Sequence, residues 1–315
     1  MDLFVNTVAP LRLPLIVAPM FLVSSPELTI ASSKSGVVGS LPAANARTVE
    51  SLDQWMSQIH GALHEQQLPW LLNMIVHKTY DRFDAEVELV KRYQPSIVTT
   101  ALGSPARVME SVKSYGGKVI ADVISPAMAR KAVAAGVDGL ILVTNGAGGH
   151  TGSYNPLAFI AEVREFWDGP LGIAGCISTG RDVLAMRVAG ADFVLSGTRF
   201  IVAAESMVAE DYRDMLVEAC MDDVIETKAV SGVKANWMRQ SLEKAGIDPN
   251  AINTAGIDFS GNISTANKAW KDVWSAGHGV GSIRSKQTTA EIVDAMVAEF
   301  SAAVESTRDL LNIYR

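Results

Sequence analysis

Short apolar segments recur along the chain up to residue 200, and stretches with helical periodicity lie between them. The segments are PLIVAP (14–19), GVVGSL (36–41), WLLNMIV (70–76), PSIVTT (95–100), KVIADV (118–123), GLILVT (139–144), PLGIAG (170–175) and DFVLSG (192–197). Strands that are apolar along their whole length are buried on both faces, so the pattern indicates a parallel sheet covered by helices. Eight such units favour a closed (β/α)8 barrel, the TIM barrel, and an open doubly wound sheet is the alternative.

The alternation stops near residue 205, and mixed polar segments follow. We interpret residues 206–283 as a mostly helical insertion, or lid domain, after the eighth strand, and residues 1–205 and 284–315 as the barrel. The final segment, TTAEIVDAMVAEFSAAVESTRDLLNI, has the period of a long amphipathic helix that starts at an N-cap threonine. We expect this helix to pack back on the barrel wall.

Composition narrows the class of protein. Of 315 residues, 48% are hydrophobic, which is enough for a large core, and the net charge of −7 without a Lys/Arg cluster argues against nucleic-acid binding. Two cysteines exclude a disulfide framework, and no His/carboxylate cluster suggests a metal site. The N-terminus lacks the features of a signal peptide, and no apolar run is long enough for a membrane span. We therefore expect a soluble, cytoplasmic protein that does not bind membranes, for which a homodimer is one possible assembly.

Active sites of such barrels lie at the C-terminal ends of the strands, and the segment GAGGHTG (146–152) follows the sixth predicted strand there. Its glycines permit close approach of a flat or charged ligand to the backbone. The dinucleotide fingerprint is excluded, because Thr151 stands where the third glycine is required. We expect the loop to carry His150 at the mouth of the barrel.

The segments AGCISTG (174–180) and SGTRF (196–200) follow the seventh and eighth predicted strands. Loops at these two strands form the usual phosphate site of such barrels, because glycine, serine and threonine supply backbone and hydroxyl donors. A phosphate-bearing ligand is therefore expected. Cys176 within the first segment is expected to pack as a small hydrophobe.

Three further features leave alternatives open. The loop VAPM (17–20) fits a turn against a flat ligand or an ordinary buried turn. Asn73 inside WLLNMIV needs a hydrogen-bond partner, which is either neighbouring backbone or the edge of a ligand. The segment SAGHGVGS (275–282), with His278, is either a lid over the barrel or a plain glycine-rich linker. The chain lacks P-loop, GxSxG and HExxH motifs, so chemistry is expected from a phosphate-bearing cofactor, with His150 as the only obvious titratable group beside it.

These residues resemble a known family. The segments LPLIVAPM, LLNMIV with Asn73, GAGGHTG, GIAGCISTG and GADFVLSGTRF occur in the order seen in the nitronate monooxygenases. The later SGVKANWMRQSLEKAGIDP and WSAGHGVGSI are also similar to that family. The resemblance covers most of the chain and implies a barrel that binds FMN.

The resemblance also implies roles for particular residues, with His150 as the catalytic residue. The implied cofactor-binding residues are Ala18, Pro19 and Met20 at the isoalloxazine ring, Asn73 at its polar edge, Gly148 and Gly149 beside it, and Gly175, Cys176, Ser196, Gly197 and Thr198 around the phosphate. His278 would lie in the lid, where relatives commonly carry Gln. Two other departures are notable. Gly146 and Ala147 stand where many relatives carry Glu, and Cys176 replaces the second glycine of a Gly-Gly pair.

The implied reaction is the oxidation of an alkyl nitronate, or of a nitroalkane, by FMN and O2 to a carbonyl compound and nitrite. One alternative is an FMN-dependent reductase that uses NAD(P)H to reduce a quinone or an enoyl thioester. Another is a flavin-free barrel isomerase or lyase that acts on a phosphorylated metabolite.

Overall fold

The computed structural model describes residues 11–251 and 273–313. Its main sheet has eight parallel strands in the order β1-β9-β8-β6-β5-β4-β3-β2. They are β1 Leu15–Val17, β2 Gly39–Pro42, β3 Trp70–Ile75, β4 Ile97–Ala101, β5 Lys118–Val123, β6 Gly139–Val143, β8 Leu171–Ala174 and β9 Phe193–Ser196. The two ends of this order meet, because the Val17 N–H donates to the Val38 carbonyl at 2.9 Å and the Val38 N–H to the Leu15 carbonyl at 3.0 Å. The predicted (β/α)8 barrel is confirmed, and the open sheet is excluded.

Helices cover the outside of the barrel. They are α1 Pro26–Lys34, α2 Val49–Leu63, α3 Phe83–Tyr93, α4 Ala106–Lys113, α5 Pro126–Ala134, α6 Pro156–Arg164, α7 Gly180–Val188 and the short α8 Thr198–Ile201. Helices α1, α5 and α6 each begin with a proline after a Ser or Asn that accepts a backbone N–H of the first turn. A proline loses nothing at the first helical position, where its missing N–H would be unpaired in any case, so local sequence sets these starts.

The apolar strands pack on both faces. Inside the barrel, one layer consists of Ile16, Val38, Leu71, Ile97, Ile120, Ile141, Phe193 and Leu195. The opposite faces of the strands pack against the surrounding helices in a larger cluster. Burial on both faces accounts for the nearly continuous apolar runs in the sequence.

The segment after β9 contains strands that the sequence analysis did not predict. Helix α9 (Glu210–Glu218) is followed by β10 (Val224–Thr227), β11 (Ala235–Met238) and helix α10 (Arg239–Lys244). Strand β11 pairs antiparallel with β10 on one side and with the two-residue strand β7 (Gly149–His150) on the other. Part of the predicted insertion, residues 252–272, lies outside the described residues. A 3-10 helix over His278–Ser282 returns the chain to the barrel.

The last helix, α11, spans Thr289–Ile313 and confirms the predicted terminal helix. It packs along α7 and α1, with Ile292, Val293 and Met296 buried completely. An added Cβ on Gly180 would lie 1.9 Å from the Met296 carbonyl oxygen, so the glycine allows this close packing. No helix within residues 11–251 and 273–313 has both the length and the apolar character that a membrane span needs.

Candidate functional site

A cavity of about 780 Å³ opens at the C-terminal ends of the barrel strands. Its walls come from the loops after β1, β4, β5, β6, β8 and β9, and from Ser275, Gly277 and Gly279 of the returning segment. Parallel strands end at the same rim of a barrel, so residues far apart in the chain meet here. The volume lies within the usual range of cofactor and ligand sites.

Most of the sequence-predicted site residues line this cavity. They are Ala18, Pro19, Met20, Asn73, Gly148, Gly149, His150, Gly175, Cys176, Gly197 and Thr198. Ser196 is completely buried beside them, and its hydroxyl donates to the Ile177 carbonyl at 2.7 Å. His278 is not among the lining residues, although its neighbours Gly277 and Gly279 are, and its backbone N–H donates to the Gly146 carbonyl at 3.1 Å.

His150 is held by its backbone rather than by a flexible loop. Together with Gly149 it forms β7, where it pairs with Ala235 of β11. The next residue, Thr151, donates its N–H to the Lys234 carbonyl at 3.2 Å and its hydroxyl to the Thr144 carbonyl at 2.8 Å. The residue keeps exposed surface at the cavity mouth, although protein atoms surround much of the imidazole. Surrounding protein atoms lower the pKa of His150, because desolvation disfavours the imidazolium form.

Asn236 of β11 binds the turn that precedes His150. The side chain is completely buried, and its amide nitrogen donates to the carbonyls of Asn145 at 3.0 Å and Ala147 at 2.7 Å. A buried carbonyl without a partner costs free energy, so these two bonds favour one conformation of the glycine-rich turn.

The turn also contacts the returning segment directly. A Cβ on Gly148 would lie 2.8 Å from the Gly277 nitrogen, and one on Gly277 would lie 2.4 Å from the Gly146 carbonyl oxygen. The Gly277 N–H donates to the Thr198 hydroxyl at 2.9 Å. The two glycine-rich segments therefore pack backbone against backbone over the end of β9.

Asn73 and Thr99 form a polar pair inside the barrel mouth, where the Asn73 amide donates to the Thr99 hydroxyl at 3.0 Å. Of the two predicted alternatives for Asn73, the structure shows a protein partner, although that partner is a side chain and not backbone. Since Asn73 also lines the cavity, the second N–H and the oxygen of its amide are available for a ligand edge.

Asp122 of β5 lines the same cavity, and the sequence analysis missed it. Burial raises the pKa of this carboxyl to about 7. The sequence analysis named His150 as the only obvious titratable group beside the ligand, and the cavity contains the Asp122 carboxyl as well. The sequence did carry a signal, because Asp122 interrupts the apolar run KVIADV in the way that Asn73 interrupts WLLNMIV. Asn236 carried no comparable signal, since it lies in a mixed polar segment.

Cys176 adopts a left-handed backbone conformation with φ 61°, which non-glycine residues rarely adopt. Its thiol lies against the turn of the histidine loop, because a Cβ on Gly146 would be 1.9 Å from the Cys176 sulfur. Cys176 keeps exposed surface on the cavity wall. Desolvation by nearby protein atoms raises the pKa of the thiol, so it stays protonated at neutral pH. Within the described ranges 11–251 and 273–313, no group of three or more His, Cys, Asp or Glu residues could hold a metal ion.

Comparison with known proteins agrees with this geometry. The family model described as nitronate monooxygenase matches residues 4–299. A nitronate monooxygenase from Paraburkholderia phytofirmans is 26% identical, with 95% of each chain covered. A probable nitronate monooxygenase from Staphylococcus aureus is 26% identical over 64% of this chain and 60% of its own length.

Solved structures share the fold over nearly the whole chain. A mutant of FabK from Thermotoga maritima superposes with a TM-score of 0.77 at 25% identity, covering 95% of this chain and 96% of its own. A nitroalkane oxidase from Streptomyces ansochromogenes has a TM-score of 0.80 at 23% identity, covering 94% and 98%. Because the family model spans residues 4–299, the chain belongs to the nitronate monooxygenase family and is a flavin-dependent oxidoreductase.

Proposed function

We propose that the protein uses FMN and O2 to oxidise alkyl nitronates to a carbonyl compound and nitrite. The observation that carries this proposal is one imidazole, His150, at the mouth of a cavity whose walls are mostly apolar side chains and glycine backbone, with Asn73 and Asp122 among its few polar groups. The curated relative from Paraburkholderia phytofirmans, which carries the name nitronate monooxygenase over the same length, supports the reaction.

The residues of the cavity suit FMN. Ala18, Pro19 and Met20 offer an apolar surface for the ring, and Asn73 offers an amide to its polar edge. A Cβ on Gly197 would lie 3.3 Å from the Met20 sulfur and 3.4 Å from the Ala18 Cβ, so a side chain there would crowd the ring surface. The Ser178 hydroxyl, within the predicted phosphate segment 174–180, is buried without a hydrogen-bond partner among the described residues, and a phosphate oxygen at this segment would supply one. When bound, FMN supplies the electron acceptor and the reaction with O2.

We assign the substrate chemistry to His150. A nitronate is an anion, and the imidazole N–H can donate a hydrogen bond to it. A neutral nitroalkane must first lose its α-proton, and the neutral imidazole can accept that proton. The lowered pKa of His150 keeps the imidazole in this neutral form at pH 7.

We further propose that residues 206–283 act with the barrel, residues 1–205 and 284–315, as a lid that also holds the catalytic loop. Supporting contacts are the pairing of β11 with β7 and the hydrogen bonds from Asn236. Gly277 and Gly279 of the same segment line the cavity.

The test is His150→Asn, which keeps a hydrogen-bonding side chain but removes the base. We expect turnover of nitroethane to fall by about 10²–10⁴-fold, the usual contribution of a general base. Turnover of ethyl nitronate should fall less, because it needs no deprotonation. His64→Asn, at the exposed residue that follows α2, is the control. Equal and negligible effects on both substrates would remove His150 from the mechanism.

A second candidate function is reduction of a quinone or enoyl thioester with NAD(P)H. The similarity to the FabK structure from Thermotoga maritima favours it. Anaerobic mixing of the flavin-loaded protein with NADH or NADPH separates the two reactions. We expect the visible flavin absorbance to persist with either nucleotide and to bleach with ethyl nitronate, and rapid bleaching by NADPH would establish the reductase instead.

A further inference from the structure

Asp122 is a carboxyl group on the inner face of the barrel. Ile120, two residues earlier on β5, belongs to the apolar layer inside the barrel. Because side chains alternate along a strand, Asp122 lies on the same face, one layer nearer the cavity. It lines the cavity together with Asn73 and His150, and its exposed surface is limited.

The neighbouring strands offer Asp122 no charged partner. β4 lines the cavity with Ala101 and β6 with Ile141 and Val143. No residue in the described ranges 11–251 and 273–313 makes a hydrogen bond or ion pair with the Asp122 carboxyl. The other titratable groups that line the cavity are Lys131 of α5, His150 of β7, Cys176 after β8 and Tyr212 of α9. Lys131 lies beyond ion-pair distance, and burial alone accounts for the raised pKa of Asp122.

Entry of a second negative charge into such a cavity is opposed by electrostatic free energy. In a poorly hydrated site, two like charges repel more strongly than in water, and the pKa of one acid rises in response. The proposed substrate is an anion, and an ionised Asp122 would repel it. Protonation of Asp122 removes that repulsion and supplies an O–H donor.

We propose that an ionised Asp122 takes up one proton when the cavity binds an anion, so that at neutral and alkaline pH the site accepts an anionic substrate together with a proton. This inference rests on the proposed function only in the identity of the anion. The proton comes from solvent and goes to a carboxylate oxygen of Asp122, and no covalent bond of the ligand changes. The charge of the occupied cavity is then the same as that of the empty one.

The test uses isobutyrate, an unreactive anion with the planar two-oxygen head group of a nitronate, and neutral isobutyramide as the matched ligand. Binding to the flavin-loaded protein is measured by the change in flavin absorbance at pH 6 and pH 8. With a pKa of about 7, Asp122 is largely protonated at pH 6 and about nine-tenths ionised at pH 8. Isobutyrate affinity should therefore fall about tenfold between these pH values, and isobutyramide affinity should change less than twofold.

Variants identify the group that takes up the proton. In Asp122→Asn the fall in isobutyrate affinity between pH 6 and pH 8 should shrink from tenfold to less than twofold. Asp122→Ala replaces this variant if Asp122→Asn folds poorly. In His150→Asn the tenfold fall should persist. Calorimetry at pH 8 in two buffers of different ionisation enthalpy should show nearly one proton taken up per isobutyrate in the unaltered protein and nearly none in Asp122→Asn.

Three outcomes would overturn the proposal. They are an Asp122→Asn variant that keeps the full pH dependence, a His150→Asn variant that loses it, and failure of isobutyrate to bind at pH 6. None of these depends on turnover. The assignment of Asp122 can therefore fail while nitronate oxidation stands, and it can stand if nitronate oxidation fails.

Discussion

Gly146 and Cys176 are complementary residues of the site. The Cys176 sulfur occupies the place that a side chain at position 146 would take, at 1.9 Å from an added Cβ. A side chain at position 146 and the Cys176 side chain therefore exclude each other.

This complementarity predicts a coupled effect of two substitutions. Gly146→Ala alone should lower the free energy of unfolding by about 1–3 kcal/mol, because the Cys176 thiol must move out of a packed site. Cys176→Gly alone should have a small effect, since relief of left-handed backbone strain of about 1–2 kcal/mol is offset by the greater entropy of unfolded glycine. In the double variant most of the loss should be recovered.

Urea denaturation of the four proteins measures the coupling free energy, which we expect to reach at least about 1 kcal/mol. Additive single effects would show that the two positions do not compete for space.

At the level of elements, the short pairing of β7 with β11 connects the segment after β9 to the loop that carries His150. His150 pairs with Ala235 and Gly149 with Asn236, so the position of the imidazole depends on a strand more than 80 residues later in the chain. Asn236 adds two side-chain hydrogen bonds to the turn before His150. Strand β11 is therefore part of the support of the loop that carries His150.

Asn236→Leu tests this support. The variant is similar in size but leaves the carbonyls of Asn145 and Ala147 without donors, at a cost of about 1–3 kcal/mol for each unpaired group. We expect a lower melting temperature and at least tenfold weaker flavin retention, measured by dialysis and visible absorbance. Lys234→Met is the matched control on the adjoining residue, whose partly exposed ion pair with Glu226 contributes about 1 kcal/mol or less. Comparable losses in the two variants would contradict the proposed role of Asn236.

At the level of the whole molecule, buried acids make stability depend on pH. Burial raises the pKa of Asp122 to about 7. Burial also raises the pKa of Glu86, whose carboxylate accepts a hydrogen bond from the Tyr80 hydroxyl and forms an ion pair with Arg82. An acid whose pKa is higher in the folded state favours folding while it is protonated. Its contribution is complete below the unfolded pKa of about 4 and is lost as the pH rises through the folded pKa.

For Asp122 the affected window is therefore about pH 4 to pH 7. Over this range the free energy of unfolding of the unaltered protein should fall relative to that of Asp122→Asn by up to about 1.4 kcal/mol per pH unit. Urea unfolding of both proteins at pH 5, 6 and 7 checks this difference, and the contribution of Glu86 cancels in the comparison. A difference that is constant with pH would show that Asp122 is not a buried acid in the folded protein.

The sequence alone determined the barrel and the place of its site. Eight apolar runs with helices between them, together with the prolines and N-caps at α1, α5 and α6, specify local structure and burial without reference to distant residues. The glycine-rich segments after β6, β8 and β9 could be assigned to the C-terminal rim for the same reason. The periodicity of apolar residues indicates which faces of a strand or helix are buried, and it can be recognised within each segment by itself.

Only the tertiary structure decided which side chains meet. The contact of the Cys176 sulfur with Gly146 and the hydrogen bonds from Asn236 to the histidine loop join segments that are distant in the chain. The environment of Asp122 inside the barrel is likewise formed by segments that are distant in the chain. Such contacts depend on closure of the barrel and on the path of the insertion, which no local pattern encodes. The pKa of Asp122 follows from the same closure, because a carboxyl group in an apolar run becomes a proton acceptor only when the surrounding strands exclude water from it.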